Sequence, residues 1–179
     1  MLIDAQNSCL LIVDVQDKLL PAITDADELL ANQCWLTEIA TYLKQPQIIS
    51  EQYPRGLGHT VEPLWERCNQ TPALEKMSFS CAADPGCMAA LAPYNQVVVI
   101  GIEAHVCVLQ SVLELLQNGK QVFVVADAVG SRSELDKELA LARMDSAGAH
   151  IVSREMVVFE WLRRAGSDEF RHISRTFLR

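Results

Sequence analysis

Apolar residues follow two alternating rhythms along the chain. Cys9-Leu10-Leu11-Ile12-Val13-Asp14-Val15 is an almost continuous apolar run rich in branched residues, the pattern of a strand covered on both faces. Residues 26–44 switch to helical spacing, with Leu29, Leu30, Trp35, Leu36, Ile39 and Leu43 on or near one face, and Gln45-Pro46 ends the run. Gln47-Ile48-Ile49-Ser50-Glu51 reads as a second strand, and residues 53–59 as a loop by their proline and two glycines. From Glu62 to Ser80 the pattern is irregular, with a brief extended stretch at residues 75–79. Asp84-Pro85 predicts an N-cap and first helical position for a short helix ending near Ala92.

The second half repeats the rhythm more clearly. Residues 97–102 form the plainest strand, 105–117 a helix closed by Asn118-Gly119, and 121–126 another strand. A helix over 133–147 is followed by Gly148, then a short strand at Ile151-Val152 and a helix from Ser153 through Arg163. The pattern says least about the tail that opens at Gly166-Ser167-Asp168. Apolar strands alternating with helices indicate an α/β fold, a three-layer α/β/α sandwich around a parallel sheet. Ligands in such folds bind beyond the carboxyl ends of the strands.

The length, 179 residues, fits one domain spanning 1–179, with no repeat, low-complexity tract or linker. Lys plus Arg is 15 against 23 Asp plus Glu, a formal charge of −8. An acidic chain with no basic cluster is a poor partner for nucleic acid or an anionic membrane. The N-terminus carries no basic segment, and Asp14 and Gln16 interrupt the first apolar run, so it reads as neither signal peptide nor membrane span. Cysteines 9, 34, 68, 81, 87 and 107 form no C-x-x-C, as expected of separate reduced thiols in a cytoplasmic protein.

Two residues stand at strand ends. Asp14 places a carboxylate in an apolar run, which is costly unless paired; it either caps a nearby backbone or belongs to a site. Cys107 follows the plainest strand by five residues and so falls in the first turn of the next helix. There the helix dipole would lower the thiol's pKa and free backbone N–H groups could hold an oxyanion. The alternative for Cys107, as for the other five cysteines, is a small buried hydrophobe. His105 is two residues from Cys107 on a helix, about 200° around the axis, so the two do not pair and His105 reads as a solvent-facing residue. Lys76 alone is unremarkable. No dinucleotide fingerprint, phosphate loop or Gly-x-Ser-x-Gly elbow occurs.

Taken together, Leu10-Leu11-Ile12-Val13-Asp14-Val15-Gln16, then Glu75-Lys76 with Phe79-Ser80, then Gly101-Ile102-Glu103-Ala104-His105-Val106-Cys107-Val108 resemble the isochorismatase-like cysteine hydrolase superfamily, which includes nicotinamidases. Asp127-Ala128-Val129-Gly130-Ser131-Arg132 resembles another family segment. The resemblance implies a Rossmann-like, six-stranded, mostly parallel sheet and a catalytic triad of Asp14, Lys76 and Cys107. It also implies an oxyanion hole at Glu103 and Cys107, aimed by a cis peptide at the Ile102–Glu103 step. Metal-binding members carry several histidines after the second strand, where this chain has only His59, so the resemblance is nearest to metal-free members and implies no cofactor. The implied activity is hydrolysis of a small amide-like or related carbonyl substrate through a Cys107 thioester. The rivals are a non-catalytic oligomeric binding or scaffold protein and a nicotinamidase-type amidase. Tyr53, Arg55, His59, Phe79 and Ser131 are the candidate pocket residues, and a homo-oligomer is expected by analogy with the family.

Overall fold

The computed structural model describes residues 1–178. Its centre is a six-stranded sheet formed by β1 (Ser8–Val13), β2 (Gln47–Gln52), β3 (Leu74–Lys76), β4 (Gln96–Ile102), β5 (Gln121–Gly130) and β6 (His150–Val152). The spatial order is β3-β2-β1-β4-β5-β6, and all five pairings are parallel. The helices are α1 (Ala26–Tyr42), α2 (Pro54–Leu57), α3 (Glu62–Arg67), α4 (Pro85–Leu91), α5 (Leu109–Gln117), α6 (Glu134–Ser146), α7 (Arg154–Leu162) and α8 (Asp168–Thr176).

Strand alternation divides the core in two. Leu10 and Ile12 of β1 and Val98, Ile100 and Ile102 of β4 face one layer, with Leu36, Ile39, Leu64, Val157, Trp161 and Ile173 from α1, α3, α7 and α8. Cys9, Leu11 and Val13 of β1 and Val97 and Val99 of β4 face the other, with Leu91, Val112, Leu115 and Met144 from α4, α5 and α6. Every residue of β1 and β4 is buried, which is why these segments read as continuous apolar runs.

The sequence expectations hold for the architecture and miss at the edges. Residues 62–80 contain a helix and a strand, α3 and β3, too short for periodicity to reveal. The tail beyond Gly166 forms α8, capped by Ser167, whose hydroxyl accepts from the Phe170 N–H. Asp84 caps α4 as expected, accepting from the N–H groups of Gly86 and Cys87. β5 runs four residues past the expected end because its register against β4 shifts between Val99 and Gly101, and the extra chain is braced by Gln33. The Gln33 side chain donates to the carbonyls of Gly101 (3.3 Å) and Ala128 (3.0 Å).

The chain turns away from the sheet in opposite directions on either side of β1 and β4, which are neighbours in space but not in sequence. This is the topological switch point, where the crevice of an open α/β sheet lies. Three strands end there in left-handed, non-glycine residues: Asp14 (φ 54°) after β1, Tyr53 (φ 39°) after β2 and Glu103 (φ 56°) after β4. Such conformations cost about 1–3 kcal/mol each and gather at functional sites. Gly101 in β4 has φ 147°, and a Cβ there would collide with the Val13 carbonyl, so this glycine lets β1 and β4 close together beneath the crevice.

Candidate functional site

On the β1–β2–β3 side of the crevice, the Asp14 carboxylate accepts from Ser50 Oγ at Oδ1 (2.7 Å) and from Lys76 Nζ at Oδ2 (2.7 Å). The side chains of Asp14 and Lys76 are both fully buried. The ammonium also donates to Gln52 Oε1 (2.7 Å) and to the carbonyls of Phe79 (3.0 Å) and Ser78 (3.2 Å). Taking both charges out of water costs several kcal/mol per ion, and this dense bonding is what offsets it. Burial pulls the Lys76 pKa down most strongly, but the Asp14 charge, the neighbouring Cys81 and Cys107 sulfurs and the hydrogen bond to Asp14 together outweigh it, and the net lies above the ordinary lysine value. Gln52 is held in turn by Gln16, whose Oε1 accepts from the Gln52 N–H (2.7 Å) and whose amide donates to the Gln52 carbonyl (3.0 Å).

Cys107 sits over this network, 3% exposed, on a single π-helical turn (Ala104–Val108) that runs into α5. The sequence expectation of a thiol acidified by a helix N-terminus is overturned. Burial pushes the Cys107 thiol up first, the Asp14 charge and its hydrogen bond add to that, and the Lys76 ammonium only partly opposes them. Both burial and the Asp14 carboxylate thus oppose ionisation of this thiol. The cis bond is also absent: all peptide bonds among the described residues are trans, the Ile102–Glu103 step included. The left-handed Glu103 makes the sharp turn instead.

On the β4–β5 side stands a second polar group. Arg132 Nε pairs with Glu103 Oε1 at 3.0 Å, and His105 Nδ1 lies 3.0 Å from Ser131 Oγ and 3.6 Å from Glu103 Oε2. His105 is thus not solvent-facing; its side chain is 22% exposed, because the π-helical turn swings it toward the end of β5 rather than outward.

The five candidate pocket residues do not converge. Tyr53 and Arg55 line a cavity of about 670 Å³ together with Met77, Ser78 and Asp84, beside the backbone of Lys76. His59 lines a different cavity of about 470 Å³ with Glu51 and Trp65. Strand alternation explains the separation: Ser50 and Gln52 point toward Asp14 and Lys76, so Glu51 between them points to the other face. Ser131 is buried against His105, and Phe79 is exposed but reaches the network only through its carbonyl. Sequence reasoning missed Ser50 and Gln52, which lie two apart on one face at the polar end of β2, where alternation alone puts them on the same side.

The donors near β2 do not fit a metal site. Glu51 Oε1 already accepts from the Thr60 N–H (2.6 Å) and hydroxyl (2.8 Å), and Oε2 is bound to His59 Nδ1 (3.0 Å). That leaves fewer than the three protein ligands a catalytic zinc requires, and no cluster of three or more His, Cys, Asp or Glu with metal-binding geometry occurs among the described residues.

Residues 8–156 match the isochorismatase domain family model. The chain belongs to the isochorismatase family. Isochorismatase family protein 1A of Dictyostelium discoideum is 36% identical over 173 residues, covering 93% of this chain and 84% of that protein. The structure of MAR1 ribonuclease from Caenorhabditis elegans superposes with a TM-score of 0.94 at 36% identity, covering 100% of this chain and 93% of that one. The Escherichia coli YcaC gene product, described as an octameric hydrolase of unknown specificity, gives a TM-score of 0.87 at 27% identity, covering 92% and 83%. The family match spans β1 to the first turn of α7 and so includes both polar groups flanking the crevice. Among the described residues, no helix of this isochorismatase-family chain is long and apolar enough to cross a membrane.

Proposed function

We propose that this isochorismatase-family protein is a cysteine hydrolase that cleaves a small amide-like carbonyl substrate through an Asp14–Lys76–Cys107 triad. The observation that carries the reading is the buried Asp14–Lys76 pair, with Asp14 raising the Cys107 thiol's pKa. A buried ion pair is a poor stability device, so its position beside a thiol at the switch point calls for a chemical role.

Each carboxylate oxygen of Asp14 has lone pairs beyond those used by Ser50 and Lys76, so it can accept the thiol proton. As it does, Cys107 Sγ attacks the carbonyl carbon, the C–S bond forms, and the carbonyl π pair moves to oxygen. Backbone N–H groups at the head of the Cys107 turn hold that oxyanion, and the Lys76 ammonium lowers the cost of negative charge in the crevice. The C=O re-forms, the C–N bond breaks, and Asp14 hands its proton to the departing nitrogen. Water then attacks the thioester, gives a proton to Asp14, and the acid leaves as Asp14 reprotonates Cys107. The sum is amide plus water to carboxylic acid plus amine, with no external redox partner.

Two further readings follow the relatives. The octameric YcaC relative supports a homo-oligomer for this chain, and the absence of disulfides among the six cysteines fits a reducing, cytoplasmic setting. The ribonuclease name of the worm relative belongs to that protein. Here the formal charge is −8 and the lysine of the site is fully buried on Asp14, so RNA is not the expected substrate.

The test is a hydrolysis screen over primary amides, carbamoyl compounds, nicotinamide and a short RNA, comparing wild type with Cys107→Ala. Turnover of an amide-like compound should fall more than about a thousandfold in the variant, since the nucleophile itself is gone. RNA should remain intact, and exhaustive chelation should leave the rate unchanged. Activity lost to chelator and restored by stoichiometric zinc or iron would bring back a nicotinamidase-type reading. No Cys107-dependent turnover of any compound would favour a non-catalytic binding protein.

A further inference from the structure

The Glu103 carboxylate is incompletely bonded. Glu103 is 8% exposed, its Oε1 is paired with Arg132 Nε at 3.0 Å, and its Oε2 is buried with no hydrogen-bond partner. His105 Nδ1 stands 3.6 Å from Oε2, too far for a hydrogen bond, and lies 3.0 Å from Ser131 Oγ. A buried carboxylate oxygen left without a donor loses its hydration with nothing in return, and the penalty is larger for a charged group than for a neutral one. The residue is also held left-handed, at φ 56° and ψ 56°, at the end of β4 and four positions before Cys107. The chain therefore places a strained residue with an unsatisfied acceptor at the carboxyl end of β4, at the head of the Cys107 turn.

A ligand completes this arrangement only if it brings a donor. A carboxylate or phosphate would bring negative charge and no donor to Glu103 Oε2. Arg132 does not reverse that sign, because its side chain is 57% exposed and its charge is already matched by Glu103. A neutral N–H would satisfy Oε2, and a protonated amine would do so more strongly, since charge-assisted bonds are about twice as strong as neutral ones. We propose that Glu103 is a specificity-determining residue that binds a positively charged amino group on the substrate, so that the substrate class is a small aminated amide. The inference rests on the reading of Cys107 as the nucleophile.

The test can separate the two because it needs no knowledge of the natural substrate. Three methanethiosulfonates of similar size carry a cation (2-aminoethyl), no charge (propyl) or an anion (2-sulfonatoethyl). Each transfers its thioalkyl group to the Cys107 sulfur, forming S–S, breaking the reagent's S–S bond and releasing methanesulfinate while the thiol proton passes to base. Labelling rates at Cys107, read by mass spectrometry, should favour the cation over the neutral reagent by about tenfold, the worth of one charge-assisted hydrogen bond. In Glu103→Gln that cation-to-neutral ratio should fall to about one, and in Arg132→Gln, which frees Oε1 as well, it should rise above wild type. Glu134→Gln, an exposed acid, should change the ratio less than about twofold, which sets the scale of the general field of an acidic protein.

A cation preference retained in Glu103→Gln, or absent in wild type and in Arg132→Gln, overturns the role of Glu103 and leaves the nucleophile standing. No labelling of Cys107 by any reagent, in protein whose unfolded form labels fully, overturns the nucleophile and this inference with it.

Discussion

The two polar groups flanking the crevice are built on opposite principles. On the β1–β2–β3 side, Asp14 and Lys76 are fully buried, and each bonds to partners that are themselves held: Ser50, Gln52 and the carbonyls of Ser78 and Phe79. On the β4–β5 side, Glu103 and His105 are only mostly buried, Arg132 is largely in solvent, and one carboxylate oxygen has no donor. The first group is complete without a ligand and is suited to moving protons and stabilising charge from fixed positions. The second is complete only when something else arrives. That is the division expected between reaction and recognition, and it is open to attack from either side.

The largest expected effect is on stability. Lys76→Met should leave the Asp14 carboxylate buried beside Ser50 alone and destabilise the protein by about 3–5 kcal/mol in urea unfolding. Asp14→Asn combined with Lys76→Met should recover most of that loss, because removing both charges removes the unpaired one. Arg132→Gln, on the exposed side, should cost less than about 1 kcal/mol. Similar losses for Lys76→Met and Arg132→Gln would erase the contrast between the two groups.

A smaller effect sharpens what the first group does to the thiol. The Asp14 carboxylate helps hold Cys107 protonated, so Asp14→Asn should lower its pKa and raise its iodoacetamide labelling by about tenfold while hydrolysis is lost. Lys76→Met should slow labelling. In wild type the labelling rate should climb throughout the range from about pH 6 to 9, roughly tenfold per unit, as expected for a thiol whose pKa lies above it. Cys9 and Cys68, pushed up to about 12 by burial and held in the core, should label only on unfolding. Slower labelling in Asp14→Asn would mean that the carboxylate serves alkylation as a base and does not mainly oppose ionisation.

Much of this was legible in the chain. The sheet shows because both faces of β1 and β4 are covered, which prints an unbroken apolar run, and Asp14 and Cys107 show because each interrupts or follows such a run. The edges were harder. Helix α3 and strand β3, with six and three residues, are shorter than the window in which a period can be counted. The acidified thiol failed because helix position is a local property, whereas burial and the approach of Asp14 are made by residues 93 positions apart, one just after β1 and one beyond β4. His105 failed because a π-helical turn rotates side chains away from the 3.6-residue spacing that the sequence argument assumed. Ser50, Gln52 and Glu103 act through contacts with distant segments, and nothing in their own neighbourhoods names those partners.

The smallest effect concerns the face of β2 that serves neither group. Glu51 points away from the Asp14 network and binds His59, whose side chain is 75% exposed. The hydrogen bond that the His59 ring donates to Glu51, and then the Glu51 charge, raise the His59 pKa above the ordinary histidine value. A group whose pKa is raised on folding stabilises the protein fully below its unfolded value, near 6.5, and that contribution fades as pH rises through the higher folded value. Wild type should therefore exceed His59→Gln in stability at about pH 5.5, with the difference shrinking toward about pH 8.5. Solvent screening keeps the margin small, so it should be read as a shift in urea midpoint between the two proteins measured side by side. Hydrolysis should be indifferent to the change, because His59 and Glu51 lie on the opposite face of β2 from Ser50 and Gln52. A His59→Gln variant that kept its stability difference constant with pH, yet lost turnover, would move His59 from this outer face into the working site.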